Sequence, residues 1–245
     1  NTFVVVEAEG DDLEHSDGKT AETAVKLIEQ FDKNSGARAG ERFWIGVGFV
    51  RPHVPFVAPS RYFERYLPYE ELKLPEKLAG DWQDIPEAGI NYRTSLNMEM
   101  NVRRQKKALS GYYASVAFMD AQVGKVLEAL EEAGLRDETI VVFTSDHGYH
   151  LGEHDFWAKV SLREESARVP LIISVPGKKP QVCDSFVELV DLYPTLANLC
   201  GIPMDHRTQG LDVSAVFDDP NYSVRDAVYC VAPLRKGFML RTDQF

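Results

Sequence analysis

The hydrophobic pattern of the chain alternates between two periods. Short apolar or β-branched runs, Val4 to Val6, Phe43 to Val47, Thr139 to Thr144 (TIVVFT) and Leu171 to Val175 (LIISV), are separated by stretches in which apolar residues recur every three or four positions. A strand repeats its face every second residue and a helix about every 3.6, so the alternation predicts an α/β fold with a mixed or mostly parallel central sheet covered by helices. Thr20 through Phe31 sets Ala24, Leu27, Ile28 and Phe31 at helical spacing, with Gly36 following as a stop. A longer helix carries Tyr112, Val116, Met119, Val123, Val126 and Leu130 at alternating intervals of four and three and ends at Gly134. Phe43 to Val47 reads as a buried strand, and TIVVFT and LIISV, the latter bracketed by Pro170 and Pro176, read as central ones. Val187 to Leu199 has helical character interrupted by Pro194, while Ala227 to Val231 and Phe238 to Arg241 form a small C-terminal β pair. From Phe56 to Asn101 the sequence is rich in proline, tyrosine and charge without a sustained period, which predicts a surface excursion with one helical turn. The chain thus divides into a partial α/β domain over residues 1–215 and the start of a β subdomain over residues 216–245, cut short at its end.

Composition narrows the class. With 245 residues, 44% apolar and 27% charged, the chain can bury a sizeable core, which excludes disorder and coiled coil. No apolar run is long enough for a membrane span, and the opening NTFVVVEAEGDD has neither a basic leader nor a small-residue cleavage site. The formal charge of −11 opposes a broad nucleic-acid or anionic-membrane surface, leaving a local basic pocket as the place for a polyanionic substrate. Cys183, Cys200 and Cys230 are too scattered for a disulfide scaffold or a thiolate zinc site.

Candidate chemistry gathers where strands end, the usual mount for ligand groups in open α/β sheets. Asp146, His147 and Gly148 follow TIVVFTS directly; a carboxylate and an imidazole on adjacent residues can hold one divalent cation or position one oxyanion. The alternative is that Asp146 caps the next helix and His147 packs against it. His150, Glu153, His154, Asp155 and Lys159 crowd into the following residues, a density of metal- and anion-binding groups that favours a site. Gly152 and Trp157 point to a shaped loop, in which Lys159 can offer a point charge to an anionic ester while its stem lies on the indole. The second cluster is FVRPHVPF, where Pro52 and Pro55 restrict the backbone around His53 at the exit of the Phe43–Val47 strand, as a general acid or oxyanion donor requires.

The segments FTSDHGYHLGEHDFWAK, GFVRPHVPF and GYYASVAFMDAQVGKVLEAL resemble the type I sulfatases of the alkaline phosphatase superfamily, and among them the iduronate-2-sulfatase branch, over about Asp17 to Phe245. The resemblance implies hydrolysis of sulfate esters, on sulfated carbohydrate, by a formylglycine nucleophile made from the Cys of a CxPSR-type motif beside a bound calcium. It implies Asp146 and His147 as metal ligands, His53 on the ester or leaving-group oxygen, and Lys159 on the sulfate oxygens. A secreted, periplasmic or lysosomal location follows from the same likeness. Two features depart from the family pattern. No CxPSR occurs in the chain, the nearest run being Cys230-Val231-Ala232-Pro233-Leu234-Arg235. Asp11-Asp12 does not suit the family's early Asp pair and reads as a solvated loop or the start of a helix. The chain therefore reads as a central-to-C-terminal portion of a sulfatase. A phosphomonoester, diester or phosphonate hydrolase of the same superfamily and a non-catalytic binder of sulfated glycans are the alternatives.

Overall fold

The structure, a computed structural model, describes residues 3–83, 100–204, 207–232 and 237–244. The chain forms two interleaved units: Asn1–Leu78 with Leu96–Thr139 and Leu151–Trp157, and Ala79–Ser95 with Ile140–His150 and Ala158–Phe245.

In the first unit, β1 (Val5–Ala8) and β2 (Phe56–Pro59) pair in parallel, from Val5 opposite Phe56 to Ala8 opposite Pro59. Helices α1 (Ser16–Glu29) and α2 (Val102–Glu132) complete the unit, with α2 packed on both strands and on α1. Asn101 caps α2 by accepting the Arg104 amide at 3.0 Å, and Gly134, at φ 68°, ends it. Gly111 is where α2 meets the sheet: a Cβ there would lie 2.7 Å from a Val5 methyl, so only glycine permits this approach. Ala58, Phe63, Ala114 and Phe118 form a core cluster, with Val5, Tyr62 and Tyr66 packed against it.

Three expectations change here. The most buried face of α2 runs through Gly111, Ser115, Phe118 and Gln122, one residue ahead of the apolar stripe and hence about 100° around the helix. Most of the stripe is half-buried, and only Leu130 is fully so. Close approach selects small residues, and Gln122 is buried because it hydrogen-bonds Asp12 at 3.0 Å. Residues 43–47 are not part of a paired strand: the segment is unpaired among the described residues, and Trp44 is 79% exposed. The stretch after Phe56 does not begin as a surface excursion, because Phe56 and Ala58 are fully buried in β2 and are followed by three short 3-10 turns, Ser60–Tyr62, Glu64–Tyr66 and Tyr69–Glu71. The rest of that excursion, 84–99, lies outside the described residues.

Asp11 and Asp12 open a short 3-10 helix, Asp12–Glu14, as a start-of-helix pair does: the Asp11 carboxylate accepts the Leu13 amide and Glu14 bonds back to the Asp11 amide. Asp12 is not solvated. It is 5% exposed and receives Lys125, Gln122, Tyr62 and Arg61.

In the second unit, β3 (Val141–Thr144) pairs antiparallel with β4 (Leu171–Ser174), and β5 (Ala227–Val231) with β6 (Phe238–Thr242). Short helix α3 (Glu164–Ala167) precedes β4, and α4 (Leu192–Leu199) tolerates Pro194 because it falls in the first turn, where no intrahelical amide is needed. Arg225 ties α4 to the C-terminal pair through Asp191, at 2.6 Å, and Glu188, whose carboxylate also accepts the Tyr229 amide. Parallel and antiparallel pairings are therefore both present, with α2 on the strands of the first unit, in keeping with the α/β class. No helix among the described residues is long and apolar enough to cross a membrane.

Candidate active site

The chain leaves β3 at Thr144 and turns immediately. The Ser145 hydroxyl donates to the His147 carbonyl at 3.0 Å, and the Gly148 amide donates to the Ser166 carbonyl at 2.8 Å, so α3 backs the turn. Gly148 is required by proximity: a Cβ would stand 2.1 Å from the Glu165 carbonyl oxygen. Gly148→Ala is expected to cost about 1–3 kcal/mol by overpacking and to loosen His147, whose ring bonds the Gly148 carbonyl. A melting temperature equal to that of the unsubstituted protein would refute this account of the turn.

His147 is held at both ring nitrogens. Nδ1 lies 2.8 Å from the Gly148 carbonyl, which only accepts, so Nδ1 carries the hydrogen. Nε2 then accepts from Lys159 Nζ at 2.7 Å. Asp146 Oδ2 is 3.4 Å from Nε2, and the Asp146 carboxylate, 83% exposed, faces solvent. A carboxylate, a neutral imidazole and an ammonium thus meet at the carboxyl end of β3. Lys159 is flanked by Ala158 at φ 78° and Val160 at φ 82°. Positive φ is rare for alanine and an outlier for a β-branched valine, with a cost of about 1–3 kcal/mol for each.

The neighbouring acids and histidines have other work. His150 is 1% exposed with Nδ1 3.9 Å from Glu165. In the first unit, Glu153 accepts the Leu151 amide at 2.6 Å, Asp155 pairs with Lys77, and His154 and Asp155 take left-handed backbone at φ 55° and 58°. Trp157 is 4% exposed in a T-shaped contact with Phe3, and Gly152, at φ 121°, lies against its indole. Burial, reinforced by the negative charge of Glu153, pushes the Tyr112 and Tyr113 hydroxyls above their ordinary pKa.

His53 belongs to the first unit and is exposed on its loop. Its Nδ1 lies 2.7 Å from the Val54 carbonyl, so here too Nδ1 is the donor and Nε2 is the nitrogen left for other partners. The structure therefore brings Asp146, His147 and Lys159 together in one unit and sets His53 at the surface of the other. Asp17 and Arg51, which hold the His53 loop, were not among the sequence candidates. Asp17 looks like any first-turn acid of a helix, and its partners are distant in the chain.

The motif implies a bound metal at Asp146 and His147. Asp146 offers oxygen and His147 nitrogen, but among the described residues no group of three His, Cys, Asp or Glu is placed to hold an ion. The imidazole nitrogen a cation would need faces an ammonium instead. Two donors fall short of the six to eight oxygens calcium takes, so these residues do not by themselves fit the metal.

The sulfatase family profile matches residues 6–202. The chain is 36% identical over 195 residues to an arylsulfatase of Clostridium perfringens, covering 76% of this chain and 40% of that protein. It is 31% identical over 230 residues to human (Homo sapiens) iduronate 2-sulfatase, covering 78% and 41%. Among solved structures, a phosphonate monoester hydrolase from Silicibacter pomeroyi superposes with a TM-score of 0.74 at 26% identity, over 92% of this chain and 46% of that one. The chain thus spans well under half the length of the relatives it matches. A profile match over most of the chain, with these relatives beside it, means that the chain belongs to the sulfatase family.

Proposed function

We propose that the protein hydrolyses sulfate esters carried on sugars, with Lys159 of the β3 turn meeting the sulfuryl oxygens and His53 acting as general acid. The observation that carries the reading is Lys159 held against His147 at 2.7 Å in the turn after β3, on a chain of the sulfatase family. An ammonium there offsets charge growing on sulfuryl oxygens, and a fixed cation in a shaped loop needs no reorganisation when that charge develops. His53 engages Nδ1 and leaves Nε2 to other partners, so once Nε2 has taken up a proton the imidazolium can pass it to the departing alkoxide of the sugar. The likeness to iduronate 2-sulfatase favours a sulfated uronic-acid glycan as substrate. The chain contains no CxPSR motif. In this reading the nucleophile, a formylglycine, and the further ligands that a calcium beside Asp146 and His147 would need come from other parts of the protein. A secreted, periplasmic or lysosomal location accords with such a substrate.

A second reading has one specific observation behind it, the fold match to a phosphonate monoester hydrolase. The two are separated by assaying the protein, as its gene encodes it in full, against p-nitrophenyl sulfate, a 2-O-sulfated uronate disaccharide and a phenylphosphonate monoester. Sulfate release from the first two at a kcat/KM well above that for the phosphonate is the expected result. Turnover of the phosphonate alone would replace the proposal with the second reading, and no turnover of any ester would end both.

A further inference from the structure

We propose that Asp17, acting through Arg51, is a positioning residue that fixes the ring of His53 in a single tautomer with Nε2 available. The proposal rests on the role of His53 in the reading above, but its geometry lies wholly within the first unit. Asp17 has no exposed surface, and its carboxylate spends both oxygens on successive loop amides: Val50 N donates to Oδ1 at 3.0 Å and Arg51 N to Oδ2 at 2.8 Å. Ser16 Oγ adds a weaker bond to Oδ1 at 3.2 Å. A buried carboxylate needs such donors, and here they come from a loop 33 and 34 residues away.

Arg51 carries the constraint forward. A single guanidinium nitrogen, Nη1, donates to the carbonyls of His53 and Pro55, both at 2.6 Å, so the residues on either side of Val54 are held by one group. The His53 amide closes onto the Val50 carbonyl at 2.9 Å, and the Phe56 amide bonds the Val4 carbonyl at 2.8 Å where the loop enters β2. Burial lowers the Arg51 pKa from its ordinary value, and the Asp17 charge opposes that. The Val54 carbonyl, set between the two clamped carbonyls, is the one that His53 Nδ1 bonds at 2.7 Å. An exposed imidazole would otherwise exchange its hydrogen between the two ring nitrogens; a fixed Val54 carbonyl selects Nδ1–H and leaves Nε2 to face substrate.

The test is the nitrogen-15 NMR spectrum of the His53 ring in the 245-residue chain, which reads the tautomer directly. The unsubstituted chain is expected to show the Nδ1–H form alone. Asp17→Asn keeps one acceptor oxygen but loses the charge and the second, and Arg51→Ala removes the clamp; both are expected to show mixed tautomers. Arg51→Lys, which can place one multi-hydrogen nitrogen between the two carbonyls, is expected to restore the single form. In the active protein, Asp17→Asn and Arg51→Ala should lower kcat about tenfold or more with little change in KM, the mark of a misaligned reacting group. A single unchanged tautomer in folded Arg51→Ala overturns the proposal even if Asp17→Asn fails to fold. If instead the tautomers shift as expected in a protein that cleaves no sulfate ester, the proposed function fails and the clamp stands.

Discussion

Asp12→Ala is expected to destabilise the first unit by about 3 kcal/mol, the cost of removing one partner from a buried ionic cluster. The Asp12 carboxylate is 7% exposed and collects Lys125 Nζ at 2.7 Å, Gln122 Nε2 at 3.0 Å, the Tyr62 hydroxyl at 3.1 Å and the Arg61 guanidinium. It joins the first turn of the chain to α2 and to the 3-10 segment after β2. Arg61 and Lys125 are 48% and 42% exposed and can turn to water when the carboxylate is gone, which holds the cost at the lower end of the range for buried pairs. Burial alone would raise the pKa of Asp12, but the bonds from Lys125, Gln122 and Tyr62 outweigh it and the pKa is lowered. A lowered pKa gives the sign of the pH dependence. The ionised form is favoured by folding, so the contribution is complete above the ordinary carboxylate range and disappears as pH falls through the folded value. Urea midpoints of the unsubstituted chain and Asp12→Asn should therefore differ most near neutrality and converge in acid. Equal midpoints at neutral pH would mean that the cluster contributes nothing.

The elements that could be read from the sequence are those whose signal is local. Helix α1, strands β3 and β4, the C-terminal β pair and the stop at Gly134 all follow from periodicity and turn chemistry within a few residues. The turn holding Asp146 and His147 was legible for the same reason, since the apolar run ends abruptly before it. What escaped depends on partners far along the chain. The buried face of α2 is hidden from the hydrophobic pattern because Gly111, Ser115 and Gln122 carry little hydrophobic signal; the first is selected by the approach of Val5 and the last by a bond to Asp12. Strand β2 was hidden by Pro55 and Pro59 at its edges, although a parallel partner needs only some of its amides. The Phe43–Val47 run has strand composition without a strand neighbour among the described residues, so composition alone could not reveal that it is unpaired. Asp17 shows the limit most plainly: one acid in a helical first turn, whose bonds reach across 33 residues to the loop that presents His53.

Lys159→Ala, made in the protein as its gene encodes it, is expected to reduce kcat for a sulfate ester by about 10²–10³-fold, the usual effect of removing one preorganised charge-stabilising donor. The effect should fall on kcat more than KM, because the charge that Lys159 faces is greatest in the transition state. The melting temperature should not fall, since Lys159 is only half-buried and its substitution leaves the backbone bonds of the β3 turn intact. Lys159→Arg is not expected to rescue. The ammonium nitrogen sits 2.7 Å from His147 Nε2, and a longer planar guanidinium cannot put one nitrogen there without shifting a backbone already held at φ 78° and 82° on either side. Two non-glycine residues at positive φ persist only where the surrounding structure holds them, and here they bracket the cation that reaches the His147 ring. Val160→Gly makes the link measurable: if the strained backbone exists to aim Lys159, relaxing it should lower kcat while leaving the fold as stable or more so. Should Lys159→Ala retain full turnover in a protein that cleaves sulfate esters, the ammonium would be a structural partner of His147, and the sulfuryl oxygens would have to be met by another group.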